Sequence, residues 1–197
     1  MIGDQSRPRA IILAAGRGSR LHTYTKDRPK CLVELGGQTL IGRQLATLRN
    51  AGIGDIVIAT GYRAEMLSLP GTRQIHNPLW ENTNMVESLF CAEAEFGHDA
   101  IVSYGDIVYE PRVLAALLDS PHEISIVVDR DWRSYWEHRF EDPLGDAESL
   151  RMNADGCITD VGNEVADIDE IQAQYMGLMR FTNGGVDALR AARAGLG

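Results

Sequence analysis

A chain of 197 residues, 44% hydrophobic and 24% charged, is long enough for one globular domain with a sizeable core. Its net charge of −9 and pI near 5.0 exclude a general binder of nucleic acid or anionic membrane, because those partners need a basic face. The three cysteines, Cys31, Cys91 and Cys157, make no C-x-x-C pair and have no histidines at zinc spacing. No stretch reads as a signal peptide or a membrane span, so a reduced cytoplasm is the expected location.

The first element is Ala10 to Leu13, a short apolar run of branched residues that reads as a buried strand. It breaks at Ala14 into a small and basic loop that cannot be core. Thr39 to Asn50 places Leu40, Ile41, Leu45 and Leu48 on one helical face and stops at Ala51-Gly52. Asp55 to Thr60 is a second buried strand, Tyr62 to Leu67 a short helix, and Thr72 to His76 a strand ending at the Asn77-Pro78 turn. Asn84 to Phe96 reads as a helix with Met85, Leu89 and Ala92 on one side, and Ala100 to Tyr104 as a strand ending at Gly105-Asp106. Pro111 opens a helix from Arg112 to Leu118, and Glu123 to Val128 is another buried strand. From Asp129 to Pro143, aromatics within a polar stretch suggest a loop or irregular flap. A hairpin over Glu148 to Asn153 and Cys157 to Val161 follows, then a strand from Gln174 to Phe181 and a helix from Val186 to Ala194. Alternating strands and helices imply an α/β fold, with a mostly parallel central sheet, helices on both faces and a small antiparallel hairpin region. Ligands of such sheets lie at the carboxyl ends of the strands, so the loops after Leu13, Tyr104 and Val128 should meet.

The loop after the first strand carries the most specific signal. Gly16, Gly18 and Ser19 let backbone N–H groups approach a ligand, and Arg17, Arg20 and Lys30 add positive charge, which suits a polyphosphate. It is not a P-loop, which needs Lys-Ser/Thr after its last glycine, nor a dinucleotide fingerprint, whose third glycine is replaced by Leu21. Leu13, Gly16, Gly18, Arg20, Leu21, Pro29, Lys30 and Leu32 instead match L-x-x-G-x-G-x-R-L…P-K-x-L. That signature resembles the nucleotidylyltransferases that activate sugar-1-phosphates and related phosphorylated compounds, and the likeness covers nearly the whole chain. The resemblance implies a Rossmann-like, nucleotide-diphospho-sugar transferase-like fold.

It also implies roles for residues. Leu13, Ala14, Ala15, Gly16, Arg17, Gly18 and Gly105 would bind nucleotide, Arg17 and Arg20 holding the β- and γ-phosphates. Lys30 would offset charge at the α-phosphorus, and Asp106, ending its strand, would be the magnesium ligand. The bland alternative for Asp106 is capping of the next turn, and for Lys26 and Arg28 plain solvation is favoured. Asn77, Thr83, Asn84 and Ser88 occupy the family's base-recognition segment, and the Asn-Met-Val-x-Ser-Leu form is most similar to the cytidylyltransferase branch acting on phosphocholine or small phosphonates. There one of Thr83 and Asn84 is expected to cap the helix and the other to meet the base. Tyr135 and Trp136, beside Trp132 and with Asp142, Asp146 and Glu148 near in sequence, could bind an amine-bearing acceptor, or could simply cover the sheet edge.

The function so implied is a magnesium-dependent transfer of CMP from CTP to a small phosphonate or phosphorylated alcohol, with release of pyrophosphate. The alternatives are a sugar-1-phosphate nucleotidylyltransferase using UTP, TTP or GTP, and a non-catalytic nucleotide sensor; Asp106 argues against the sensor. No nucleic acid or membrane partner is expected, and a homo-oligomer is left open. Residues 1–197 are expected to form a single catalytic domain. By the resemblance, a further segment after the last helix would bring a second metal ligand, so a continuation beyond Gly197 or a fused domain is expected; Asp146, Glu148 and Asp160 are the substitutes within the chain.

Overall fold

β1 (Arg9–Ala14) sits near the middle of the sheet because it can be buried on both faces, with Ala10, Ile11 and Ile12 wholly inaccessible. In this computed structural model, which describes residues 7–18 and 23–194, the elements follow in order: β2 (Glu34–Leu35), β3 (Gln38–Thr39), α1 (Leu40–Asn50), β4 (Ile56–Thr60), β5 (Arg73–His76), α2 (Met85–Cys91), β6 (Asp99–Tyr104), α3 (Pro111–Asp119), β7 (Ile124–Asp129), α4 (Trp132–Arg139), β8 (Leu150–Met152), β9 (Ile158–Val161), β10 (Gln174–Thr182) and α5 (Gly184–Ala194). The main sheet has the order β5-β4-β1-β6-β10-β7. β1 pairs in parallel with β4 and β6, β4 in parallel with β5, and β10 runs antiparallel to β6. The fold is thus α/β with a mostly parallel six-stranded sheet.

Contacts divide the chain into two compact units, Met1–Ser125 with Gly177–Gly197, and Ile126–Met176. In the first, Ile11, Val57, Val102 and Phe181 pack under Leu89, Phe90 and Phe96 and under Val186 of α5. Ser103 points the opposite way from Val102 and bonds Gln44 Oε1 of α1 at 2.8 Å, so α1 covers the other face, with α3 packed beside it. Thr39 caps α1 by accepting from Gly42 N at 3.1 Å, and Pro111 occupies the first turn of α3, where its missing N–H costs nothing.

Three sequence expectations change. The helix after Asn84 ends at Cys91 and continues only as a single 3-10 turn at Glu93–Glu95, and it buries Ser88, Leu89 and Phe90 while Met85 is exposed. β7 is an edge strand and half-buried rather than core. In the second unit, the stretch expected as a flap is the helix α4. Trp132 is buried against Ala147 and Ile171, Trp136 joins it one turn later at a ring distance of 5.8 Å, and Arg133 bridges to Glu137 on the solvent side. The hairpin β8–β9 forms as expected, its turn closed by Asn153 Oδ1 accepting from Asp155 N and Cys157 N. Among the described residues no helix is long and apolar enough to cross a membrane.

Candidate active site

β1 and β6 leave the sheet side by side, which is where a parallel sheet opens a crevice. Gly105 N donates to Leu13 O at 2.8 Å, and a Cβ on Gly105 would meet that oxygen at 2.9 Å and Ala14 Cβ at 3.1 Å. Glycine is therefore needed for the two exits to close on each other. The resulting cleft, about 450 Å³, is lined by Leu13, Ala14, Ala15, Gly16 and Gly18 after β1, by Lys30 and Cys31, by Trp80, Thr83, Asn84, Met85 and Ser88 around the start of α2, and by Tyr104, Gly105 and Asp106 after β6. The loop after Val128 belongs to the second unit.

Gly18 has φ +73°, and a Cβ there would stand 2.7 Å from Lys30 Cβ, so the loop lets the lysine stem pass behind it. Lys30 Nζ donates to Asp106 Oδ2 in a short ion pair, with the two side chains 35% and 30% exposed. Oδ1 of Asp106 has no partner among the described residues, and Asp106 caps no helix there. Gln44 Nε2 donates to Tyr104 O and Ile107 O, both at 2.8 Å, and so ties α1 to the turn that carries Asp106. Burial pushes the Cys31 thiol up to about 12, which keeps it neutral beside the charged pair.

Arg17 does not line the cleft; its guanidinium lies over the Tyr62 ring at 5.5 Å, and Tyr62 in turn meets Trp80 at 5.5 Å. Arg20 falls outside the described residues. Arg28 pairs with Asp27 at 3.1 Å and the Lys26 carbonyl accepts from Tyr62 Oη, which agrees with a surface role for both.

Asn77, expected at the nucleotide, is buried behind the lining instead, because its side chain is spent on the protein: Oδ1 accepts from Leu79 N, and Nδ2 donates to Thr83 and Ser88. Asn84 does the capping, its Oδ1 accepting from Val86 N at 3.0 Å and Glu87 N at 3.2 Å, and it still reaches the cleft. Trp80, Tyr104 and Cys31 are lining residues that sequence reasoning missed. Sequence reasoning also missed the buried Gln44, which supports the cleft from behind; its one legible sign was an amide three residues after Ile41 on a face that otherwise buries.

The residues expected to bind an acceptor lie in the second unit. Trp136 packs on the Trp132 cluster and edge-on to Tyr135 at 5.7 Å; Arg139 sits over the Tyr135 ring at 6.0 Å. Asp142 accepts from Leu144 N at 3.1 Å, Asp146 follows that turn, and Glu148 O accepts from Gln174 Nε2 at 2.9 Å. Asp160 is held below the usual carboxylate range by Ser149 and Asn163.

Among the described residues no group of three or more His, Cys, Asp or Glu could hold a metal ion. Magnesium nevertheless commonly takes one or two carboxylates and completes its shell with substrate phosphates and water. Asp106, facing the cleft with Oδ1 unpartnered among the described residues, fits that arrangement.

Residues 10–150 match the family described as the MobA-like NTP transferase domain. The chain is 40% identical over 184 residues to CTP:phosphoglutamine cytidylyltransferase of Campylobacter jejuni, covering 88% of this chain and 72% of that protein. It is 32% identical over 160 residues to CMP-5'-(3-aminopropyl)phosphonate synthase of Streptomyces rubellomurinus, covering 77% of this chain but 24% of that protein. Over 106 residues it is 32% identical to choline-phosphate cytidylyltransferase of Streptococcus pneumoniae, 52% of this chain and 46% of that one.

Proposed function

The chain belongs to the MobA-like NTP transferase family, and we propose that it is a magnesium-dependent cytidylyltransferase that joins CMP from CTP to a small phosphate or phosphonate acceptor and releases pyrophosphate. The observation that carries this reading is one cleft lined both by the glycine loop with Lys30 and Asp106 and by the polar segment Thr83, Asn84 and Ser88. Relatives named for cytidylyl transfer to phosphoglutamine and choline phosphate, and for synthesis of a CMP-phosphonate, support the base and the acceptor class.

In this proposal the backbone N–H groups around Gly16 and Gly18 receive the polyphosphate. An acceptor oxygen attacks the α-phosphorus, the bond from that phosphorus to the bridging oxygen breaks, and its electron pair leaves with pyrophosphate. Lys30 exchanges its carboxylate partner for phosphate oxygen and offsets the charge that builds there, so positioning and electrostatics suffice without a covalent enzyme intermediate. Magnesium held by Asp106, phosphate oxygens and water would polarise the α-phosphorus.

Pyrophosphate release, measured with CTP, UTP, GTP and TTP against a panel of phosphorylated alcohols, phosphonates and sugar-1-phosphates, tests the reading. Fastest turnover with CTP and a non-sugar acceptor is expected. Fastest turnover with another nucleotide and a sugar-1-phosphate would move the chain to that branch, and nucleotide binding without turnover across the panel would make it a sensor.

A further inference from the structure

Asn77 is 2% exposed, and both of its amide hydrogens are committed to the protein. Leu79 N–H can only donate, so the atom facing it at 2.9 Å must be Oδ1, and Nδ2 then sends its two hydrogens to Thr83 Oγ1 at 2.9 Å and Ser88 Oγ at 3.0 Å. Each hydroxyl passes its own proton to a backbone carbonyl: Thr83 to Leu79 O at 2.9 Å, Ser88 to Asn84 O at 3.4 Å. A hydroxyl has one proton and two lone pairs, so each is left with one lone pair, and both residues line the cleft. Beside them Asn84 has committed Oδ1 to Val86 N and Glu87 N, which leaves Nδ2 as its cleft-facing group.

The segment therefore offers hydroxyl acceptors next to an amide donor. Cytosine presents an amino donor next to a ring-nitrogen acceptor; uracil presents the reverse, a carbonyl acceptor next to an N–H donor. Resting on the CTP reading above, we propose that Asn77 is the positioning residue for base choice: it touches no nucleotide but fixes Thr83 and Ser88 as acceptors, so that the cleft selects a pyrimidine with an exocyclic amino group over one with a carbonyl.

The test is the ratio of kcat/KM for CTP to that for UTP, measured with thermal midpoints in wild type, Asn77→Ala and Asn77→Asp. Asn77→Ala removes the amide hydrogens that hold both hydroxyls as acceptors, so each can turn its proton from its backbone carbonyl toward the cleft, and the ratio falls about fivefold to tenfold, the effect of one oriented hydrogen bond or somewhat more. An equal loss for both nucleotides, or an unchanged ratio, overturns the proposal and leaves Asn77 as a stabiliser of the turn. Asn77→Asp keeps the acceptor for Leu79 N and draws both hydroxyl protons inward, so lone pairs still face the cleft and the wild-type ratio is retained. Collapse of the ratio in this variant means that the Asn77 amide contacts the base directly, which also overturns the proposal, and this arm holds even if the alanine variant does not fold. A wild-type chain that uses UTP as well as CTP removes the CTP reading itself and the proposal with it, a result distinct from a wrong variant pattern in an enzyme that does prefer CTP.

Discussion

Two sets of ion pairs occupy opposite ends of the same strands. At the amino ends, Arg9 binds Asp55 at 2.6 Å and Glu95 at 2.9 Å, while Arg73 binds the same two carboxylates at 2.7 and 2.9 Å, closing a ring of four charges that joins β1, β4 and β5 to the turn after α2. At the carboxyl ends Lys30 and Asp106 have only each other among the described charged residues, and they face a cleft. In the ring each guanidinium and each carboxylate is met twice, so a ligand would have to break two contacts to gain one. In the cleft a phosphate can replace Asp106 at Lys30 and a cation can replace Lys30 at Asp106, with no charge left stranded. Basic and acidic side chains thus give stability at one end and exchangeable sites at the other, and the difference lies in how many partners each charge has.

The largest effect expected from breaking the cleft pair is on turnover. Asp106→Asn is nearly isosteric but a poor magnesium ligand, and kcat/KM should fall on the order of a hundredfold or more while the thermal midpoint hardly moves. Near-normal activity in magnesium would remove Asp106 from the metal role; a large loss of stability would erase the contrast with the amino-end ring. Lys30→Met comes next. It should lower kcat by roughly tenfold to a hundredfold with little change in the Michaelis constant for nucleotide, because its charge matters most as the α-phosphorus is attacked. A rise in the Michaelis constant alone would make Lys30 a ground-state binder.

Smaller again are the neutral groups of the cleft. Asn84→Ala and Ser88→Ala should each cut the preference for CTP over UTP by about fivefold, the value of one hydrogen bond. Asn84→Ala should also lower stability by about 1 kcal/mol through the lost cap of α2, whereas Ser88→Ala lacks that component. Unchanged preference in both would place base recognition elsewhere.

Much of this was readable in the chain. Runs such as Ile56 to Thr60, short, apolar and rich in branched residues, read as strands buried on both faces, and turn residues at Gly105 and Gly36-Gly37 mark where the elements stop. The cleft's glycine loop was legible from the spacing of Leu13, Gly16, Gly18 and Lys30, and the structure adds that Gly18, at positive φ, lets the Lys30 stem pass closely. What stayed hidden depends on partners far away in sequence. α4 looked like a flap because the residues that bury Trp132 are Ala147 and Ile171. Asn77 looked like a base contact because the sequence shows an amide but not that its bonds are spent on Leu79, Thr83 and Ser88. Arg17 read as a basic residue of the loop, and the ring of Tyr62 beneath it, 45 residues away, is a partner that the sequence does not show.

The smallest expected effect concerns the amino-end ring and its response to pH. Burial alone would raise the carboxyl pKa of Asp55, but the hydrogen bonds from Arg73 and Arg9 outweigh it and hold the group below the usual aspartate range. A carboxylate depressed in the folded state binds its proton more readily when unfolded, so its contribution is complete above the ordinary value of about 3.9 and is lost as the pH falls through the lowered one. Asp55→Asn should therefore cost stability at neutral pH, and the cost should be modest, about 1 kcal/mol or less, since the Asp55 side chain is 46% exposed and solvent screens the pair. The gap in thermal midpoint between wild type and variant should stay constant from pH 7 to about 5 and close below about 4. Turnover at neutral pH should be unchanged, because Asp55 precedes β4 at the end of the sheet away from the cleft. A gap that persists unaltered into acid would mean that Asp55 acts through packing rather than charge, and a loss of turnover comparable to that of Lys30→Met would mean that the two ends of the sheet are not separable in the way their partner numbers imply.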